Sequence, residues 1–186
     1  MIKLENVSFS YGKKQILNNY SLRINNGDVI CLSGESGCGK TTLLRLILGL
    51  EKPTSGKIIT DGNIKPSVVF QENRLIPFKT VLENITVFGA DEKTALDHLE
   101  ALGIENTADM YPDKLSGGMQ RRVAIARALA LDYDYLILDE PFTGLDNDNI
   151  KTAVEHILKS VNQRPVILVT HSKEEAELFG AKIINL

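Results

Sequence analysis

The chain has no tryptophan and only two cysteines, and aromatic residues fill just 6% of its 186 positions. Two cysteines, Cys31 and Cys38, cannot staple a small secreted scaffold, so a reducing cytoplasm is the expected setting. Six prolines and no Gly/Ser-rich tract leave no candidate for a low-complexity linker. Neither sign of charge dominates: 21 Lys and Arg face 24 Asp and Glu, and a net charge of −3 argues against nucleic acid as a partner. No apolar run approaches the ~18 residues of a membrane span. The nearest, Leu43 to Leu50, is short and carries Arg45. Nor does a basic-then-apolar signal segment open the sequence. With 43% apolar residues, what is present suits one domain, residues 1–186, built on a hydrophobic core.

Periodicity sketches that domain. Ile2 to Tyr11 alternates with one slip, as a half-exposed strand with a bulge does, and Ile16 to Ile24 reads as a second strand. Val29 to Leu32, Val68 to Phe70, Tyr135 to Leu138 and Val166 to Val169 are short apolar runs, the pattern of strands buried on both faces. Helices are predicted over Lys40–Leu50, Val81–Val87, Glu92–Leu102, Gly117–Leu131 and Lys173–Phe179, with a further helix face at Ile150, Val154, Ile157, Leu158 and Val161. Lys57–Thr60 and Lys182–Leu186 complete the strands. The class is α/β, with a helical insertion between about residues 75 and 130.

Between the buried strand ending at Leu32 and the helix at Lys40 lies Gly34-Glu35-Ser36-Gly37-Cys38-Gly39-Lys40-Thr41-Thr42. It matches G-x-x-x-x-G-K-[ST], in which glycines let backbone N–H groups curl around phosphate oxygens. The helix N-terminus adds unpaired donors, Lys40 a mobile charge for the β- and γ-phosphates, and Thr41 a hydroxyl ligand for Mg²⁺. ATP and Mg²⁺ are the expected ligands. Cys38 reads as a small filler of the loop.

Two further strands end in reactive groups. Leu136-Ile137-Leu138 runs into Asp139-Glu140, and Val166 to Thr170 runs into His171. In a parallel α/β sheet the ligand crevice lies at the carboxyl ends of the strands, so these groups can meet the phosphate loop there. Asp139 suits a Mg²⁺ anchor, directly or through water, and Glu140 the orientation or deprotonation of water. His98 and His156 fall within helices and read as solvated or packing residues.

Leu115-Ser116-Gly117-Gly118-Met119-Gln120 precedes another helix, with Ser116 as a candidate N-cap and two glycines exposing N–H groups. Phosphate loop, Gln71, Leu-Ser-Gly-Gly, Leu-Ile-Leu-Asp-Glu, Gly144-Leu145-Asp146 and His171 stand in the order seen in ABC-type ATPases, so the chain resembles an ABC transporter ATP-binding subunit over its whole length. The resemblance implies a P-loop NTPase core with a mostly parallel sheet, a small N-terminal antiparallel β subdomain and an inserted helical subdomain. It implies catalytic roles for Lys40, Gln71, Glu140 and His171, and Mg²⁺ bound by Thr41, Gln71 and Asp139. ATP would be held by the loop residues Gly34 and Ser36 to Thr42. Ser116, Gly117 and Gly118 would contact the γ-phosphate held by a second subunit. Tyr11 matches the aromatic that stacks on adenine; as a residue it also fits a plain strand-end aromatic. Asp146 would lie in a loop crossing the dimer interface.

The segments Val69 to Pro77 and Thr80 to Ile85, and the Met119 variant of the signature, resemble nitrate/sulfonate/taurine-type importer ATPases. The family more commonly has Gln at the position of Met119. Only 31 positions separate Lys40 from Gln71, which implies a trimmed antiparallel subdomain, and 15 residues follow His171. The function so implied is ATP hydrolysis at a head-to-tail dimer, coupled to transport by integral-membrane permease subunits at the cytoplasmic face of the membrane. Leu75 to Ile85 would be the docking segment, and an extracytoplasmic solute-binding protein an indirect partner. A soluble, non-transport ABC ATPase is the alternative; those relatives usually carry paired domains, coiled coils or basic surfaces, none of which this sequence shows.

Overall fold

A computed structural model describes residues 1–35 and 37–186. Five strands form one parallel sheet: β3 (Val29–Ser33), β5 (Pro66–Val69), β6 (Tyr135–Asp139), β7 (Val166–Val169) and β8 (Lys182–Asn185), ordered β5-β6-β7-β3-β8. Side chains alternate across a strand, and here the alternation separates two cores. Ile30, Leu32, Tyr135, Ile137, Ile167 and Val169 pack toward helix α1 (Lys40–Ile47) and the second sheet. Cys31, Leu136, Leu138, Val166 and Leu168 pack toward the remaining helices. Residues covered on both sides explain the unbroken apolar runs.

The second sheet is antiparallel, β1 (Ile2–Tyr11) between β2 (Lys14–Ile24) and β4 (Ser55–Thr60). The pairing of β1 with β2 slips after Leu4, where Asn6 takes a φ of 51°. Gly56 of β4 approaches that bulge so closely that a Cβ would lie 2.3 Å from the Asn6 carbonyl oxygen. Glycine is required there.

Helix α1 stops at Ile47, three residues short of the predicted Leu50. Gly49 adopts a φ of 69°, its N–H reaches Leu46 O at 3.1 Å, and Leu50 N–H reaches Arg45 O at 2.9 Å. That pair of bonds is a Schellman stop, which a glycine after a helix favours.

The insertion comprises α2 (Val81–Thr86), α3 (Glu92–Ala101) and α4 (Gly117–Ala130), with short 3₁₀ turns at Glu105–Thr107 and Pro112–Lys114. Thr80 and Glu83 cap α2 reciprocally. Asn84 is fully buried, and its amide holds the 76–80 turn through Ile76, Lys79 and Thr80. Helices α5 (Asn147–Ser160) and α6 (Lys173–Leu178) complete the core. His98 of α3 and His156 of α5 are half-buried and joined, Nδ1 to Nε2, at 2.7 Å. The two histidines are thus partners that tie the insertion to the core. No described helix is long and apolar enough to cross a membrane.

Candidate ATP site

Four neighbouring strands of the parallel sheet deliver functional groups to one edge. β3 leads into the phosphate loop, β5 toward Gln71, β6 ends on Asp139 before Glu140, and β7 leads to His171. A cleft of about 490 Å³ opens there, lined by Gly37, Gly39, Lys40, Thr41 and Thr42 together with Gln71, Asp139, Glu140 and His171. Gly39 has a φ of 113°, and a Cβ on it would stand 2.9 Å from Ile16 Cγ2. The loop can therefore turn into α1 only with glycine at this point. Lys40 is buried, and its Nζ donates to Gly34 O at 2.6 Å and Glu35 O at 3.1 Å. The ammonium is folded back on its own loop, within a cleft whose helix N-terminus attracts anions.

Burial pushes the Asp139 carboxyl up, while Arg121 and Lys40 pull it down. Burial also raises Glu140, against the opposing pull of His171. Glu140 sits on a left-handed backbone, φ 47°, held by its N–H to Val169 O at 2.9 Å. Its Oε1 is buried without a hydrogen-bond partner among the described residues. His171 Nε2 lies 3.5 Å away, inside ion-pair range but outside hydrogen-bond geometry. A raised, half-unsatisfied carboxylate beside a phosphate loop is suited to accept a proton from water.

The oxygen donors Thr41, Gln71 and Asp139 face one cleft, the hard-ligand chemistry that Mg²⁺ takes. Among the described residues no group of three His, Cys, Asp or Glu could hold a metal by itself. Mg²⁺ does not need one, since it is usually held by one or two carboxylates plus substrate phosphates.

The second cradle is elsewhere. Ser116 caps α4, accepting from Met119 N–H at 3.3 Å. Ser116, Gly117 and Gly118 line a separate hollow of about 480 Å³ with Gly144, Leu145 and Asp146. A Cβ on Gly118 would lie 3.1 Å from Gly144 O, so the signature and the Gly144–Asp146 loop pack backbone to backbone. Asp146 caps α5 through Asn149 N–H at 2.9 Å, and that bond lowers its pKa.

Not every expected residue meets the cleft. Tyr11 is not among its lining; the ring packs edge-on against Phe9 at 4.8 Å, and its hydroxyl approaches Glu51 at 3.4 Å. Ile16 lines the cleft instead. Gly34 acts through its carbonyl, Cys38 is half-buried behind it, and Ser36 lies outside the described residues. The expected docking segment Leu75–Ile85 reaches the surface only in part: Val81 and Ile85 are fully buried and Leu75 packs on the core. Within the segment Phe78 is exposed, at 77%, and Val87 and Phe88 just beyond it are exposed too. Sequence reasoning passed over Thr143, which lines both hollows, and Arg121, whose burial no periodicity reveals.

Residues 17–143 match the family model described as ABC transporter. This chain belongs to that family. It is 40% identical, across its whole length and 81% of the relative, to the aliphatic sulfonates import ATP-binding protein SsuB of Zymomonas mobilis. The bicarbonate transport ATP-binding protein CmpD of Synechocystis is 38% identical over the whole chain and 73% of the relative. Among solved structures, a dimeric ATP-binding cassette, MJ0796, in a post-hydrolysis state bound to ADP and Pi, superposes with a TM-score of 0.86 at 34% identity. That match covers all of this chain and 94% of that one. The ABC ATPase fold expected from the sequence is the fold observed, and the chain is an ATP-hydrolysing member of the family, with ATP and Mg²⁺ as its ligands.

Proposed function

We propose that this chain is the ATPase subunit of a solute importer and works as a head-to-tail pair at the cytoplasmic face of the membrane. The observation that carries the pairing is that the two sets of groups line different hollows, which share Gln71 and Thr143 at their border: Lys40 and Glu140 line one, and the Ser116–Gly118 cradle opens into the other. Two copies related by a two-fold axis place the cradle of each over the loop of its partner and enclose two ATP molecules. Lys40 and the α1 N-terminus then hold the phosphates. Thr41, Gln71 and Asp139 hold Mg²⁺, which when bound neutralises charge developing on the phosphate oxygens. Glu140 takes the proton of the attacking water, and His171 orients that carboxylate. Phe78, Val87 and Phe88 form the surface that meets integral-membrane permease subunits. The relatives' names span sulfonates, bicarbonate and spermidine/putrescine at 37–43% identity, so the import role carries over and the solute does not. An extracytoplasmic solute-binding protein completes the proposed system.

The test is oligomeric state. Glu140→Gln keeps size and binding but removes the base, so light scattering after size exclusion should show monomer turning to dimer with ATP and not with ADP. Adding Ser116→Arg should abolish the shift. A Glu140→Gln chain that binds ATP yet stays monomeric at high micromolar concentration, and in the assembled transporter shows no cross-linking between Ser116 and the partner loop, would overturn the shared sites.

A further inference from the structure

Arg121 lies one turn into α4, in the inner wall of the signature cradle's hollow, and is 1% exposed. A buried guanidinium with no carboxylate bonded to it is unusual, because burying a charge is costly unless it is paired or fully hydrogen-bonded. Here main-chain carbonyls take the place of the carboxylate. Nη1 donates to Phe70 O at 2.5 Å and Gln71 O at 3.2 Å, and to Asn73 Oδ1 at 3.2 Å. Nε donates to Pro141 O at 2.7 Å. Nη2 donates to Asp139 O at 3.0 Å and to Glu140 O. One planar group therefore grips the main chain on both sides of Gln71 and through the whole turn that carries Asp139 and Glu140.

That turn is where the backbone is under strain, with Glu140 at φ 47°. Such a conformation persists only if the surroundings over-determine it. Arg121 supplies three of the bonds that do so, and its rigid fork fixes orientation as well as distance. The same side chain grows from the helix whose first residues, Gly117 and Gly118, form the cradle. Displacement of α4 along its axis would move both ends together.

We infer that Arg121 is a positioning residue that relays engagement of the signature cradle by the partner's ATP to Gln71 and Glu140 of its own chain, making hydrolysis at the two sites cooperative. The inference rests on the shared-site reading above. The Arg121 nitrogens are committed to main-chain carbonyls and Asn73, so its role is to set the aim of Gln71 and Glu140. Loss of the fork should leave nucleotide affinity near the parental value while turnover falls on the order of 10- to 100-fold, the scale of a small misplacement of a reacting group. The sigmoidal dependence on ATP should flatten toward a Hill coefficient of one.

The experiment compares the parent chain with Arg121→Lys and Arg121→Gln, measuring fluorescent-nucleotide affinity, phosphate release against ATP, and thermal unfolding. A packing role alone would lower the melting temperature and the active fraction but leave the KM and Hill coefficient of the surviving enzyme unchanged; that result overturns the relay. So does a variant with parental turnover and cooperativity. Should both Arg121 variants fail to fold, Asn73→Ala trims one contact of the same grip, and a parental Hill coefficient and turnover there overturn the relay. A parent chain that shows no cooperativity and no rise of turnover per chain with chain concentration marks failure of the shared sites instead, which is a different outcome from loss confined to the Arg121 variants.

Discussion

The two phosphate-type cradles of this chain are built from the same materials and behave differently. Each has glycines at a helix N-terminus, which offers unpaired N–H groups and the positive end of a dipole. The loop before α1 has its own cation, Lys40, and faces Asp139, Glu140 and His171. The cradle before α4 has no lysine and no carboxylate pair at a strand end; its hollow is shared with Gln71, Asn73, Arg121, Arg122, Thr143 and the Gly144–Asp146 loop. On the proposed reading one is a site with chemistry and the other is a half-site that lends contacts. The difference lies in what the sheet delivers opposite each helix, since strand ends converge on the first and loops on the second.

The comparison breaks most sharply on mixing. Lys40→Ala and Ser116→Arg chains should each be nearly inactive in phosphate release, yet a mixture should recover up to about a quarter of the parental rate. In the mixed dimer one site joins the intact Lys40 of the second chain to the intact Ser116 of the first. If mixing restores nothing although mixed dimers form, both cradles serve one chain. Taken alone, Lys40→Ala should slow hydrolysis roughly 100- to 1000-fold, as removal of a single charge-stabilising donor does. Glu140 sharpens the picture through pH: because burial raises its carboxyl, the acid limb of the pH–rate profile should fall above the ordinary 4.5. A limb at or below that value would assign the base elsewhere. On the outer surface, Phe78→Asp should impair transport in cells while the isolated chain keeps ATPase activity within roughly twofold, as surface changes remote from a site usually do. Unimpaired transport would remove Phe78 from the docking face.

The smallest effect concerns the His98–His156 link between insertion and core. Burial holds His156 neutral, lowered to about 4, and burial lowers His98 as well. Groups depressed on folding contribute stability that is present above their unfolded value near 6.5 and is lost as pH falls toward 4. The melting temperature should therefore drop across that window, and His156→Gln should flatten the drop. An unchanged pH slope in that variant would show that the link does not titrate.

Much of this could be read from residues alone, for identifiable reasons. Strands such as Leu136 to Asp139 are covered on both faces, so their apolar runs announce themselves. The phosphate loop is a local motif whose glycines have local causes. The apolar pattern of α1 runs on to Leu50, past the Gly49 stop, so periodicity alone does not mark where the helix ends. Apolarity does not say which side a residue faces: within Leu75–Ile85, Val81 and Ile85 turn inward and Phe78 outward. Arg121 and the histidine pair stayed hidden, since their partners are 18 to 58 positions away in sequence.

The left-handed backbone at Glu140 has a consequence for how this protein would change under selection. Most residues with a Cβ lose about 1 kcal/mol or more in that conformation; glycine does not, and asparagine offsets part of the loss with local side-chain hydrogen bonds. On the proposed reading of Glu140 as the base, the place most dependent on a carboxylate is thus a place where the backbone favours its removal. Populations of this chain screened for heat resistance, with no demand for turnover, should drift toward Gly or Asn at 140 and become sturdier as they lose activity. On that reading catalysis alone keeps the acid there.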